Sequence, residues 1–421
     1  MHNHSRIPGS APVSLQHDGN RASAPALPAA ATPLQIAGFL LLAVLATGGW
    51  TTATDSVPGT QPDAQTAPAT ATGDTPALDL NAFSTVDQLI PRLAGKRVVF
   101  VGEQHNRLDH HLIQLEIIRR LHEQHPQLQV AIGMEVFQQP FQQHLDDFVA
   151  GSITEQEMLR ATQYYERWRM DYRLYAPILR YAREHGLPVV ALNLPVELTR
   201  KVGRVGLAGL TPEERAGLPA EIDRSDAAYE QRVREVFEMH PNDNEQPFKH
   251  FLEVQLLWDE GMAARAVSFL QEHPEHMMVI LAGAGHLAYG SAIPQRLTRR
   301  LPADTSIILN SWQGVIAPGL ADFLLLPAER TLPPAGKMGM LLDVQDDAIE
   351  IAACFEDSPC SAAGIKGGDL LTAIDAAPVK IRADVPLALW DKLPGDSVSV
   401  SILRKRWPFP ARTLTRELVL K

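Results

Sequence analysis

A mostly parallel α/β sheet covered by helices, followed by a small β-rich domain, is the fold class the sequence predicts. Three observations carry it. Five short apolar runs in the middle of the chain alternate with segments of helical period. The runs are continuously apolar rather than alternating, as strands buried on both faces are. After Gly336 the helical period gives way to short strands separated by turn residues.

The five strands expected are Arg97–Val101, Gln129–Ile132, Pro188–Leu192, Met277–Leu281 and Ser306–Leu309. Between them, Leu112, Leu115, Ile118 and Leu121 recur every three residues, and Phe251, Val254, Trp258 and Met262 make a similar stripe. Tyr164–His185 and Thr211–Glu238 read as two further long helical stretches, the second opened by Thr-Pro-Glu-Glu. In the C-terminal region the expected strands are Met338–Val344, Ala348–Phe355, Leu370–Ile374, Ser397–Leu403 and Thr413–Leu420, with a helix-like segment Ala383–Leu393.

The chain has 421 residues, room for two or three domains of ~150 residues each. A net charge of −11 argues against a general nucleic-acid binder. Two cysteines exclude a disulfide scaffold, an iron–sulfur protein and a zinc-finger array. There is no CxxCH for covalent haem, no HExxH, no Walker loop, no GxGxxG and no GxSxG elbow.

The N-terminal part reads as lying outside the fold. Residues 1–33 form a disordered extension, and residues 34–50 a signal or anchor segment. The apolar run Leu34–Ala46 is shorter than the ~20 residues of a membrane span and suits the h-region of a secretory signal. No cysteine follows it, so a lipid anchor there is not expected. Residues 51–78 are a Thr/Ala/Pro linker, 79–331 the α/β domain and 332–421 the β-rich domain. The expected location is the periplasm, either free or held at the inner membrane by residues 34–47.

The informative residues follow the strands. The first strand ends in Gly102-Glu-Gln-His105, the second in Gly133-Met-Glu135, the third in Asn193-Leu-Pro195 and the fourth in Gly283-Ala-Gly-His286. Ligands of open α/β sheets bind beyond the carboxyl ends of the strands. Glu103, His105, Glu135, Asn193 and His286 are therefore expected to converge on one cleft. Glu103 and His105 share one side in an extended chain. Two imidazoles and two carboxylates there suit a divalent metal or acid–base work on a water. Gln255 and Asp259, at i and i+4, share one helix face and are expected to line the cleft or to face solvent. His110–His111 reads as a surface pair at a helix start or as a rim of the cleft. His122–His125 and His273–His276 read as exposed helix ends.

The segments Gly102–His105, Gly133–Phe137, Tyr172–Pro195, Phe251–Met262 and Ala282–His286, in this order, resemble the ChaN-like haem-binding group of the Tiki/erythromycin-esterase-like superfamily, over roughly Leu80 to Leu326. The resemblance implies non-covalent ferric haem, a tyrosine as iron ligand and a role in haem or iron acquisition. Tyr229 and Tyr289 are the candidate ligands, with His105 or His286 beside the haem. A porphyrin with a second open face implies a haem-linked homodimer. Other members of the superfamily are hydrolases. That side of the resemblance implies a metal-dependent reaction on a peptide or ester, with Glu103, His105, Glu135 and His286 as catalytic residues and Glu103, His105 and His286 as metal ligands.

Asp357-Ser-Pro-Cys-Ser-Ala-Ala-Gly-Ile365-Lys-Gly-Gly-Asp369 resembles a bacterial PDZ domain. Met338, Gly339, Met340 and Leu341 would then form its carboxylate-binding loop and receive a peptide C-terminus or a partner protein. Whether Cys354 and Cys360 pair is left open by the sequence. The favoured reading is an exported haem-binding protein with a PDZ module. The alternatives are the metal-dependent hydrolase and an adaptor whose cleft is idle.

Overall fold

The computed structural model describes residues 84–239, 247–310, 314–345, 348–406 and 408–421. The expected extension, the signal or anchor segment and the whole linker lie outside the described residues. No helix among the described residues is long and apolar enough to cross a membrane.

The apolar runs become strands because every side chain on them has a covered face to enter. In β1 (Val98–Glu103), Val98 and Phe100 pack into one helical layer, Val99 and Val101 into the other, all fully buried. One layer holds α1 (Val86–Leu93) and α2 (Leu108–Gln124). Beyond β2 (Gln129–Gln138), α3 (Gln142–Val149), α4 (Glu155–Ala161), α5 (Tyr164–Arg167) and α6 (Ala176–His185) complete it. Then come β3 (Val189–Asn193), α7 (Val196–Val205), α8 (Pro212–Ala216) and α9 (Ala227–Glu238). The opposite layer is built on α10 (Phe248–Glu272) and, after β4 (His276–Gly283), on α11 (Ile293–Arg300). β5 (Thr305–Asn310) and β6 (Phe323–Leu325) close the sheet.

The sheet is parallel throughout, in the order β3-β2-β4-β1-β5-β6. β1 and β4 are neighbours, yet the chain leaves β1 through α2 in one layer and leaves β4 through α11 in the other. That divergence opens a crevice at their carboxyl ends. The register sets Glu103 beside Gly283 there.

The two long stretches expected as helices are broken. Tyr164–His185 divides into α5, a short turn at Tyr172–Leu174 and α6, because Arg169 takes a positive φ and Asp171 caps the turn through the Arg173 N–H. Thr211–Glu238 divides into α8 and α9. Gly217 and Pro219 interrupt it, and Asp226 starts α9 afresh by accepting from the Tyr229 N–H at 2.8 Å.

The second domain is antiparallel. It comprises β7 (Met340–Gln345), β8 (Ala348–Cys354), α12 (Pro359–Ala362), β9 (Asp369–Ile374), β10 (Ala377–Pro378), α13 (Asp384–Ala388), β11 (Ser397–Arg406) and β12 (Phe409–Val419). The strand order is β12-β11-β9-β8-β7, with β10 on β9. Helix α13 is shorter than the expected Ala383–Leu393. Cys354 and Cys360 form a disulfide, their Cα atoms 5.5 Å apart.

The two domains share packing. Leu387 of α13 belongs to the core of the α/β domain, and the Trp390 ring meets Tyr172 edge-on at 5.7 Å. Gln156 Nε2 donates to the Leu387 carbonyl, and Arg173 donates to the Pro333 carbonyl. The β-rich domain is thus seated on the α4–α6 side of its neighbour.

Candidate functional site

The cleft begins with β1. Glu103 is buried beneath it and takes four neighbours. Its Oε1 accepts from the Tyr175 hydroxyl and pairs with His105 Nδ1, both at 2.8 Å. Its Oε2 accepts from Gln114 Nε2 at 2.7 Å and lies 3.3 Å from His111 Nδ1. Burial pushes the carboxyl up, but the His111 and His105 imidazoles outweigh it and hold its pKa well below the usual carboxylate range. Glu103 is therefore an occupied anchor rather than an open ligand. Burial pulls His105 down, and the Glu135 and Glu103 carboxylates reverse this, leaving its pKa raised. The Trp168 ring stands edge-on to the His105 ring at 4.7 Å.

A second pair faces the first. His286 Nδ1 lies 2.6 Å from Asp259 Oδ1, and the other oxygen of Asp259 accepts from the Tyr229 hydroxyl at 2.6 Å. Burial lowers the His286 pKa, but Asp259 and Glu135 raise it further, to about 9. Glu135 sits between the pairs. Its Oε2 accepts from the Gly283 N–H at 2.7 Å, and its Oε1 is 3.7 Å from His286 Nε2. Gly283 leaves room for the ring: a Cβ there would lie 3.1 Å from the His105 ring, a tight contact that would push the imidazole by a few tenths of an ångström, and 3.6 Å from Glu135. Asn193 donates to the Glu135 carbonyl at 3.1 Å.

Both imidazoles thus bind a carboxylate through Nδ1, as metal-ligating histidines do through their second shell. They line, with Glu103, Glu135 and Asn193, a cavity of about 420 Å³. Its size is that of a small-molecule or cofactor site. Trp168, Met170, Val233, Phe251 and Trp258 give it a large apolar surface, interrupted by polar side chains such as Gln138, Thr199 and Glu235, with Gln255 and Asp259 on α10 also facing it. Arg167 and Arg232 stand at the wall as cations.

The two tyrosines differ. Tyr229 is buried, and burial and then Asp259 push its phenol well above its ordinary pKa, so its hydroxyl is a committed donor. Tyr289 lies on the same cavity at φ 62°, is 37 % exposed, and its ring carries the Arg232 guanidinium at 4.8 Å. Among the described residues, the ligand atoms of Glu103, His105 and His286 do not all lie within 4.8 Å of one another.

The expectation of a surface pair at His110–His111 is corrected. Both rings are buried. His110 accepts from the Gln104 N–H at 3.0 Å, and burial lowers its pKa to about 4. His111 reaches the His105 carbonyl and Gln114. Together they shape the turn that presents His105. His122 and His125 are half-buried, and His122 pairs with the Tyr181 hydroxyl at 2.9 Å. Sequence reasoning gave no role to Gln114, Trp168 or Tyr175. The Tyr175 and Trp168 contacts rest on the break between α5 and α6, which residue pattern alone did not mark.

In the β-rich domain, Gly339 takes φ 72°, and a Cβ there would lie 2.3 Å from Ser358 Cβ. Met338 is buried in the core, whereas Leu341 is 51 % exposed. β7 ends the sheet order, so its outer edge has no strand beside it among the described residues.

Comparison with known proteins adds to this geometry. The model of the family described as haem-binding uptake, Tiki superfamily, ChaN matches residues 89–297, and that of the PDZ domain matches residues 336–408. A curated relative is Protein RETICULATA-RELATED 5, chloroplastic, of Arabidopsis thaliana, 25 % identical over 233 residues. That match takes in 52 % of this chain and spans only 31 % of the relative's length. Among solved structures, ChaN of Campylobacter jejuni with cofacial haem is 18 % identical, with a TM-score of 0.47, over 57 % of this chain and 91 % of the other. An HtrA-type protease, AlgW with a decapeptide, is 20 % identical with a TM-score of 0.18, over 21 % of this chain and 30 % of the other.

Proposed function

We propose, for a chain whose residues 89–297 are a ChaN haem-binding uptake domain of the Tiki superfamily and whose residues 336–408 are a PDZ domain, that the cavity takes ferric haem non-covalently, in an exported protein of haem or iron acquisition. The observation that carries this reading is the donor set. Two carboxylate-anchored imidazoles and one exposed phenol share an apolar-walled cavity with Arg167 and Arg232. Such a set fits the group: apolar walls suit the porphyrin plane, guanidinium groups suit its carboxylates, and phenolate or imidazole suits its iron. Haem, when bound, supplies the iron chemistry; the chain supplies holding and orientation.

Tyr289 is the proposed ligand, because the Tyr229 hydroxyl is already given to Asp259. His105 and His286, fixed through Nδ1, would offer Nε2 to the iron of a bound haem or to a hydrogen bond with its ligand. Titration with haemin should give a saturable high-spin tyrosinate-like spectrum that Tyr289→Phe loses and Tyr229→Phe keeps. A wild-type spectrum in Tyr289→Phe would remove the ligand assignment, and no saturable spectrum in the wild type would remove the haem reading.

The apolar run Leu34–Ala46 supports export, and a disulfide between Cys354 and Cys360 fits an oxidising compartment such as the periplasm. The open edge of β7 beside Gly339 supports a peptide C-terminus as the PDZ ligand. A second reading rests on Glu135 between two activated imidazoles, an arrangement for acid–base hydrolysis of an ester or peptide. Hydrolysis of a chromogenic ester that disappears in His286→Asn, in protein free of haem, would favour it.

A further inference from the structure

We propose that the turn between α10 and β4 is a surface site for a divalent transition metal of the zinc class, held by His273, Glu275 and His276. Their ligand atoms lie within 4.8 Å of one another, a condition no other group of histidine, cysteine and acidic side chains meets among the described residues. Glu275 Oε1 is 3.0 Å from His276 Nδ1 and 3.9 Å from His273 Nδ1. The two imidazole rings are 5.4 Å apart between centroids.

The turn is held before any metal arrives. The Arg97 guanidinium donates to the carbonyls of Leu270 at 2.9 Å, His273 at 3.2 Å and Pro274, closing the backbone around the end of α10. The Phe269 ring packs on both imidazoles, at 4.5 Å from His273 and 5.6 Å from His276. Ligands fixed by packing and by outer hydrogen bonds lose little freedom on binding.

The donor chemistry selects the ion. Two imidazole nitrogens and one carboxylate oxygen suit zinc, with nickel and copper competing, whereas calcium and magnesium require oxygen ligands. His273 and Glu275 are open to solvent, with 44 % and 45 % of their side chains exposed, so water can complete the coordination sphere. β4 separates this turn from the cavity by its 8 residues, about 25 Å at ~3.3 Å per residue. The site therefore does not depend on the haem reading.

The test is calorimetric titration of the untagged full chain with zinc chloride. His273→Asn/His276→Asn should lose one zinc equivalent that the wild type binds, and Glu275→Gln should bind it roughly tenfold or more weaker. His105→Asn/His286→Asn, at the cavity, should keep that equivalent. His273 and Glu275 are exposed, whereas the His276 side chain is only 12 % exposed, and unchanged thermal melts without metal would show that the turn variants fold. An unchanged zinc equivalent in the turn double variant, its loss in the cavity variant instead, or no zinc uptake by the wild type would each overturn the proposal.

Discussion

The two imidazole–carboxylate pairs on either side of the cavity do the same thing by different means. Glu103 and His105 come from one strand end, two residues apart, and Glu103 is buttressed by Tyr175, Gln114 and His111. Asp259 and His286 come from α10 and the end of β4, and Asp259 has one further side-chain partner, Tyr229. The first pair is the centre of a buried network; the second is a linear chain that ends at the cavity. A network should fail as a unit, and a chain should fail link by link.

The largest expected difference follows from this. Glu103→Ala leaves Tyr175, Gln114, His111 and His105 without their shared acceptor inside the core, and should cost about 3–5 kcal/mol of folding stability. Asp259→Ala strands only Tyr229 and His286, and should cost about 2 kcal/mol. Chemical denaturation of both variants measures the gap. Equal losses would mean that the Glu103 network has no more cohesion than the chain opposite.

The pairs should also separate by pH. His286 has a folded pKa of about 9, raised above the ordinary ~6.5 of histidine. The stabilisation from its charged form is complete below about pH 6.5 and is lost as pH rises through about 9, worth at most about 3 kcal/mol. His105 and His111 are raised as well and add to the same alkaline loss. Glu103 acts in the opposite direction: its lowered pKa gives stability that is present above the carboxylate range and lost as acid protonates it. Asp259→Asn should therefore flatten part of the alkaline decline between about pH 6.5 and about 9. An alkaline limb identical to wild type would detach His286 from Asp259.

The contrast between the pairs also explains what the sequence made legible. Continuous apolar runs between helical periods are enough to specify a parallel sheet, because only two covered faces can bury them. Strand ends then locate a cleft, and Glu103, His105, Glu135 and His286 all lie on it. The spacing of Glu103 and His105 is local, so their pairing can be read from two residues of chain. The partner of His286 lies 27 positions away on α10, and only the i, i+4 spacing of Gln255 and Asp259 hinted at that face. Tyr175 and Trp168 were hidden for a different reason. Their place depends on where a helical period is interrupted, and a positive φ at Arg169 leaves no mark in apolar spacing. The burial of His110 and His111 is not legible in a pair that reads as a helix-start surface or a rim of the cleft, because nothing in the pattern shows that two adjacent imidazoles can both find partners inside the domain.

A gentler comparison removes one hydroxyl from each side. Tyr175→Phe takes a donor from Glu103, which keeps the others; Tyr229→Phe takes from Asp259 its one side-chain donor besides His286 among the described residues. Each should cost about 1 kcal/mol in stability. The difference should appear in the imidazoles instead. The charge of Asp259 is then offered to His286 alone, so Tyr229→Phe should raise the His286 titration midpoint, followed by NMR, more than Tyr175→Phe moves that of His105. A larger movement at His105 would reverse the assignment of network and chain.

The smallest effect tests whether the PDZ domain touches one side only. Trp390 meets Tyr172 edge-on, Tyr172 meets Tyr164 at 5.4 Å, and α13 packs against α4 and α5, the helix that leads into Trp168. Helices α9 and α10, which carry Tyr229 and Asp259, pack on each other, and α10 packs also on α7 and α11. Trp390→Ala removes one aromatic pair and should cost about 1 kcal/mol. Cutting the chain at Gly336 removes Leu387 from the α/β core as well and should lower the melting temperature of what remains further, so the two domains do not melt as independent units. In Trp390→Ala the loosened Tyr172 should shift the resonances of Trp168 and His105, because their rings are in contact at 4.7 Å, while those of His286 stay in place. Shifts of equal size at His286 would show that the PDZ domain acts on the whole cavity and not on the Glu103 side of it.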